Sequence, residues 1–187
     1  MMVQALTSLP QRRGPVLALI GALTLFLTGC GVNTIPTLDE QAKAAWSQVL
    51  NQYQRRADLI PNLVETVKGA ADFERETLEA VIQARSKVAQ TQVPANILTN
   101  EDAFKTFEQN QAALGSALSR LLVVVERYPD LKANQNFLAL QSQLEGTENR
   151  ITVARRDYIG AVRDYNLSLK TFPTILWAKT IFAGNKP

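Results

Sequence analysis

Apolar residues recur at steps of three and four through the first half of this chain. They are Ala42, Trp46, Val49, Tyr53, Ala57, Ile60, Val64, Val67 and Ala71, then Leu78, Val81 and Val88. That spacing draws one apolar stripe down a helix and gives no alternating face to a strand. Glu74 is the one break in the stripe, and no glycine occurs between Thr37 and Gly69. The pattern approaches a coiled-coil seam, so it requires other helices to cover it. Two later stripes supply them. Phe104, Phe107, Leu114, Leu118, Leu121, Leu122 and Val125 form one; Leu138, Leu144, Ile151, Tyr158, Val162, Tyr165 and Leu169 form the other. No segment carries the two-residue period of a half-buried strand.

The boundaries follow from cap chemistry. Thr37-Leu38-Asp39-Glu40 fits a capping box and predicts a helix start at Thr37. Residues 91–98 (TQVPANIL) read as a loop, and Thr99-Asn100-Glu101-Asp102 as a second start. This second helix runs to about Arg127. Pro129 suits the first position of a third helix, which extends to about Thr171 before Pro173 ends it. At 1.5 Å per residue the three would measure roughly 80, 40 and 60 Å. Short connections make neighbours antiparallel. The expected fold is therefore all-α: an elongated antiparallel bundle of three long helices and a short C-terminal segment. Pro61 is the irregular point. An interior proline loses the bond to the carbonyl four residues earlier, that of Ala57. The stripe keeps its phase from Ala57 through Ile60 to Val64, which favours a kinked continuous helix. The freed Ala57 carbonyl then requires a partner, such as water or a polar side chain from another helix. A break in the first helix would instead give a four-helix bundle.

The N-terminus reads as a targeting segment. Arg12-Arg13 precede an apolar run over residues 16–27, short for a spanning helix, which needs about 20 residues. The run ends in Leu27-Thr28-Gly29-Cys30, which resembles the lipobox of bacterial lipoproteins. On that reading residues 1–29 are a signal peptide, Cys30 carries the lipid, residues 30–36 are a tether and residues 37–187 form the helical domain. Cleavage before Cys30 removes two arginines and no acid, so the formal charge falls from +3 to +1. The basic balance of the whole chain therefore belongs partly to the leader and does not argue for nucleic acid.

Two blocks resemble the LemA family. One is AAWSQVLNQYQRRADLIPNLVETVKGAADFERETLEAVIQARS at residues 44–86; the other is LEGTENRITVARRDYIGAVRDYN at residues 144–166, with Phe172-Pro173 following in the expected place. The resemblance implies a mostly helical bundle tied to a membrane at its N-terminus. Many relatives have a transmembrane helix where this chain has a lipobox. Ile159 stands where relatives often carry a polar residue, and Thr174-Ile175 depart from the usual run. Some relatives are associated with membrane remodelling or with neighbouring membrane proteins, so the resemblance brings no defined reaction.

The residue inventory restricts the chemistry. The chain contains no histidine, hence neither the commonest general base nor the commonest nitrogen metal ligand. A single cysteine excludes an internal disulfide. The acid-rich residues 72–79 (DFERETLE) read as a solvated face, with Arg75 and Glu79 spaced to pair. Arg55, Arg56, Asp58 and Asn62 on the first helix face a comparable set on the third: Glu148, Asn149, Arg150, Arg155 and Arg156. These predict an interhelical polar network, or a site for an anion or partner, since arginine suits carboxylate and phosphate. Trp46, Tyr53, Tyr158 and Tyr165 have core spacing. Phe172, Trp177 and Phe182 cluster after the last long helix, as a lid on the bundle or as a docking patch.

The functional expectation is a lipid-anchored, non-enzymatic scaffold or adaptor for envelope membrane proteins, with no cofactor, metal or nucleic acid. A lipid-binding or membrane-remodelling module is the alternative, and a homo-oligomer is compatible with either. Gly31, in place of an aspartate after the cysteine, points to the outer membrane facing the periplasm in a Gram-negative cell.

Overall fold

The computed structural model describes residues 31–69, 73–91, 93–94 and 97–184. Cys30 and the leader lie outside them. In chain order the elements are α1 (Thr34–Lys68), α2 (Arg75–Gln90), a 3-10 turn η1 (Ile97–Thr99), α3 (Glu101–Val125), α4 (Pro129–Lys132), α5 (Gln135–Ser168) and α6 (Thr174–Thr180). The fold is all-helical, and no strand occurs among the described residues. The long helices pack as a bundle. The chain divides into two compact bodies, one built from Met1–Lys43 with Gly160–Pro187, the other from Ala44–Ile159.

The division of the first stripe differs from the sequence expectation. α1 passes through Pro61 without interruption and ends at Lys68. The next helix begins only at Arg75, after Gly69 leaves α1 and Glu74 interrupts the apolar stripe. The proline is tolerated because its lost bond is replaced: Arg85 Nε, from α2, donates to the Ala57 carbonyl at 3.2 Å. The result is four long helices, reached by a break after Gly69 and not at Pro61.

Starts also shift. α1 begins at Thr34, three residues before the expected cap. The Thr37 hydroxyl therefore donates to the Asn33 carbonyl (2.7 Å), and the capping box with Glu40 does not form. Pro36 falls in the first turn, where a missing N–H costs nothing. Ile35, placed in the tether by sequence, is fully buried. At α3 the expected cap is present, with Asn100 Oδ1 accepting from the Ala103 amide at 3.1 Å. The third long helix is split. α4 makes one turn from Pro129, and Asn134 Oδ1 then accepts from the amides of Asn136 and Phe137 (2.9 and 3.2 Å), starting α5. The restart places Phe137 in the core and Leu138 outside, reversing the sequence assignment.

Within the second body the chain runs up-down-up-down. Arg127 meets Glu74 (2.8 Å) and Asn110 meets Thr91 (2.8 Å), so α2 and α3 are antiparallel. Trp46 packs on Tyr158 at one level and Arg56 on Glu148 at another, so α1 and α5 are antiparallel. α2 has only 16 residues against 35 in α1. It covers one part of the core, where Ile60, Leu63, Val67, Val81, Leu114, Leu121 and Phe137 meet. A separate cluster joins Trp46, Val49, Tyr53, Ile97, Phe107, Ile151 and Ala154. Each large side chain so buried contributes about 1.5–3 kcal/mol.

In the first body, Ile35, Ala42 and Tyr165 are buried together with Ser168 and Thr174. Hydrogen bonds and charge from Asp39 and Glu40 hold the exposed Lys43 ammonium protonated well beyond the ordinary lysine range.

Candidate functional site

Helix α1 carries a buried row at seven-residue steps: Val49, Arg56 and Leu63. A second row, Trp46, Tyr53, Ile60 and Val67, interleaves with it. Together these are the two seam positions of a heptad, and an arginine occupies one of them. Arg56 is 4% exposed. Its Nη1 donates to Glu148 Oε2 on α5 (3.0 Å). Its Nη2 donates to both the side-chain Oε1 (2.8 Å) and the backbone carbonyl (3.0 Å) of Gln111 on α3. The guanidinium carbon lies 5.2 Å from the Tyr53 ring centroid, a cation–π contact. Its Nε is buried without a protein partner. One side chain thus ties three helices together where the two apolar clusters meet.

Gln111 and Thr147 complete this polar layer, both buried; the Thr147 hydroxyl donates to the Gln143 carbonyl at 2.7 Å. Gly115 sits one turn from Gln111, and a Cβ there would stand 3.6 Å from Arg56 Nη1. A cavity of about 300 Å³ opens beside the layer, lined by Arg56, Gly115, Leu118, Leu122, Leu144 and Glu148 among others.

The structure separates the other residues that sequence grouped with Arg56. Arg55, Asp58, Asn62, Asn149 and Arg150 are exposed. Asp58 accepts from Gln54 (2.7 Å). Two positions apart on a helix means about 200° of rotation, so Arg56 and Asp58 cannot both enter the core. Arg155 pairs with Glu108 across α3 and α5 (3.3 Å), at the surface. Arg156 lies 3.7 Å from its neighbour Asp157. Of the predicted network, Arg56 and Glu148 are brought together, the arginine buried and the carboxylate at the surface. Gln111 was missed. Its signal was the seven-residue gap between Phe107 and Leu114 in the α3 stripe, a gap a seam fills at its middle position.

Trp46, Tyr53, Phe104, Phe107 and Tyr158 pack ring against ring, with centroids 5.2–5.7 Å apart. Burial raises the Tyr158 phenol above its ordinary value. Glu76 and Glu79 are exposed, and Glu74 pairs with Arg127. Among the described residues no group of three acidic, cysteine or histidine side chains converges as a metal site. In the C-terminal segment Phe172 is 80% exposed, while Trp177 and Phe182 are half-buried.

This arrangement, together with the sequence blocks that surround it, can be compared with known proteins. The model of the LemA family matches residues 45–187. The chain belongs to the LemA family. The match includes all of α2 to α6 and most of α1, hence the whole Arg56 layer. Among curated relatives, Magnetosome protein MamQ 2 of Paramagnetospirillum magneticum is 28% identical over 183 residues, covering 86% of this chain and 67% of the relative. Magnetosome protein MamQ of Magnetospirillum gryphiswaldense is 26% identical, covering 84% and 63%. Protein LemA of Metamycoplasma hominis is 31% identical over 122 residues, covering 65% of this chain and about half of that protein's length. Among the described residues no helix is long and apolar enough to cross a membrane.

Proposed function

We propose that this LemA-family chain is a lipid-anchored, non-enzymatic scaffold of the cell envelope, held through Cys30 and engaging a membrane-associated protein by surface contact. The observation that carries this reading is the use made of Arg56. Among the described residues of the second body it is the deeply buried charged group, and its Nη atoms face Gln111 and Glu148 of neighbouring helices. Such a group stiffens a frame and presents no reactive atom to a substrate. The curated relatives' names, magnetosome proteins, specify a structure and no reaction. The Arg12-Arg13, apolar run and Leu27-Thr28-Gly29-Cys30 sequence supports lipid attachment. With Gly31 next to the cysteine, the outer membrane facing the periplasm is the proposed location where the cell has one.

Stable anchoring of this kind takes more than one acyl chain. Cys30→Ala should therefore move the protein from the membrane fraction to the soluble fraction. Retention of this variant after an alkaline wash would refute the anchor. Crosslinking in native membranes followed by affinity purification should return one dominant membrane-associated protein. A second reading, a module that binds or remodels lipid, is favoured by the exposed Phe172, Leu176 and Ile181.

A further inference from the structure

The C-terminal segment is built inside out. From the last residue of α5 through α6, the buried residues are Ser168 and Thr174, whose hydroxyls are satisfied locally. Several large apolar residues are exposed: Leu167 is 51% exposed, Phe172 80%, Leu176 54% and Ile181 61%, while Ile175, Trp177 and Phe182 are half-buried. A globular helix does the reverse, and apolar groups concentrated on a surface mark a place where something else covers them.

Two further observations identify what covers them. The first is charge. From Tyr165 to the last residue the chain carries Lys170, Lys179 and Lys186 and no acid, and Lys170 and Lys179 are exposed. Apolar side chains flanked by lysine alone are the composition of a surface that lies in an anionic lipid interface. The second is position. Gly31 is buried against this segment: a Cβ there would stand 3.3 Å from Trp177 Nε1 and 3.7 Å from Pro173 Cγ. Gly31 follows Leu27, the end of the apolar run, by four residues, so at most about 14 Å of extended chain separates them. It also directly follows Cys30. Whether the membrane holds the apolar run or a lipid on Cys30, it holds the corner of the fold where Trp177 sits.

We infer that Phe172 and Leu176, flanked by Lys170 and Lys179, form a membrane-docking face that lies in the headgroup region of an anionic bilayer beside the N-terminal anchor. Trp177, half-buried on Gly31, sits at the edge of this face. The inference rests on the anchored reading above and adds a second, non-covalent contact with the same membrane. An anchor alone leaves the domain free to rotate about its point of attachment; a second contact fixes which side faces the lipid.

The test uses the full-length lipidated protein on vesicles, with flotation and tryptophan quenching read together. The vesicles contain brominated acyl chains and either phosphatidylglycerol or phosphatidylcholine. Trp46 is 8% exposed within the aromatic cluster, so the quenchable emission is that of Trp177, and Trp177→Phe should abolish it. Quenching should be at least about twofold greater on phosphatidylglycerol. The Phe172→Ser, Leu176→Ser double variant should still float but lose the quenching. Wild-type protein that floats with both vesicle types and shows no quenching of Trp177 overturns the docking face and leaves the anchor standing. If Trp177 emission in that case varies with protein-to-lipid ratio, a second copy of the chain covers the patch. Wild-type protein that fails to float overturns the anchor and the docking face together.

Discussion

On one side of Arg56 the second body has four helices around an aliphatic core; on the other it has three around an aromatic one. The aliphatic side draws on Ile60, Leu63 and Val67 of α1, Leu78 and Val81 of α2, Leu114, Leu118 and Leu121 of α3, and Phe137 and Leu144 of α5. The aromatic side has no segment of α2. At 1.5 Å per residue α2 extends about 24 Å, less than half the reach of α1. Trp46, Tyr53 and Phe107 form the centre of this side, with Phe104 and Tyr158 packed against them and Ile97 of η1 buried in the same cluster. Branched aliphatic side chains close a seam when a helix lies on every side. When one helix is missing, larger rings must span the gap, and each then carries more of the packing.

Substitutions that empty each side test this difference. Trp46→Ala should cost about 3–5 kcal/mol, at the upper end for a core truncation, and Leu63→Ala about 2–4 kcal/mol. The distinguishing measurement is native-state hydrogen exchange. Trp46→Ala should release amides of residues 46–53 before those of residues 60–67, because no fourth helix supports them. Equal loss of protection along α1 would show a single cooperative core and erase the distinction between the two sides.

Arg56 marks the border, and its effect should be intermediate. A buried ion pair often contributes little beyond an apolar residue of equal size, yet removing one partner exposes the cost of the other. Here Glu148, with a side chain 59% exposed, can return to water, whereas Gln111 cannot. Arg56→Met should therefore cost about 1–2 kcal/mol, chiefly through the abandoned Gln111 amide. Adding Gln111→Leu should recover most of that loss in thermal melts. A double variant no more stable than Arg56→Met alone would place the cost elsewhere, in the Glu148 pair or the Tyr53 contact.

The same seam shows what could be read in the sequence and what could not. The helix-forming stripe, the Asn100 cap and the all-helical class were legible because periodicity and capping are local. By apolar spacing Arg56 falls beside the core, with Ala57 on the stripe in its place. A stripe traced through apolar residues alone skips a seam position filled by a charge. Gln111 was lost for the same reason. Apolar spacing selects Leu138 over Phe137 because the Asn134 cap, which resets the helical phase, falls inside a run whose residues look uniformly helical. The partner of the Ala57 carbonyl, Arg85, lies 28 residues away, and no local pattern connects them.

A smaller effect tests whether the aliphatic side tolerates its proline for a reason. Pro61 is exposed, and Arg85 supplies the bond it removes. Pro61→Ala should therefore raise stability by about 1 kcal/mol, part of the helix-propensity difference, with the rest lost because the new amide competes with Arg85 for one carbonyl. A marked fall in melting temperature would mean that packing around Ile60 and Val64 depends on the bend.

The smallest expected effect falls two residues from the largest charge burial. Asp58 was a natural partner for the arginines by sequence, and in the structure it is exposed, bonded to Gln54 one turn earlier on its own helix. An exposed bond of that kind exchanges readily with water. Asp58→Ala should shift the melting temperature by no more than about 2 °C, in contrast to Arg56→Met. If instead the two variants melt alike, polar side chains on both faces of α1 support the fold. The division of the bundle into two apolar regions joined by one buried guanidinium would then have to give way to a network that surrounds the helix.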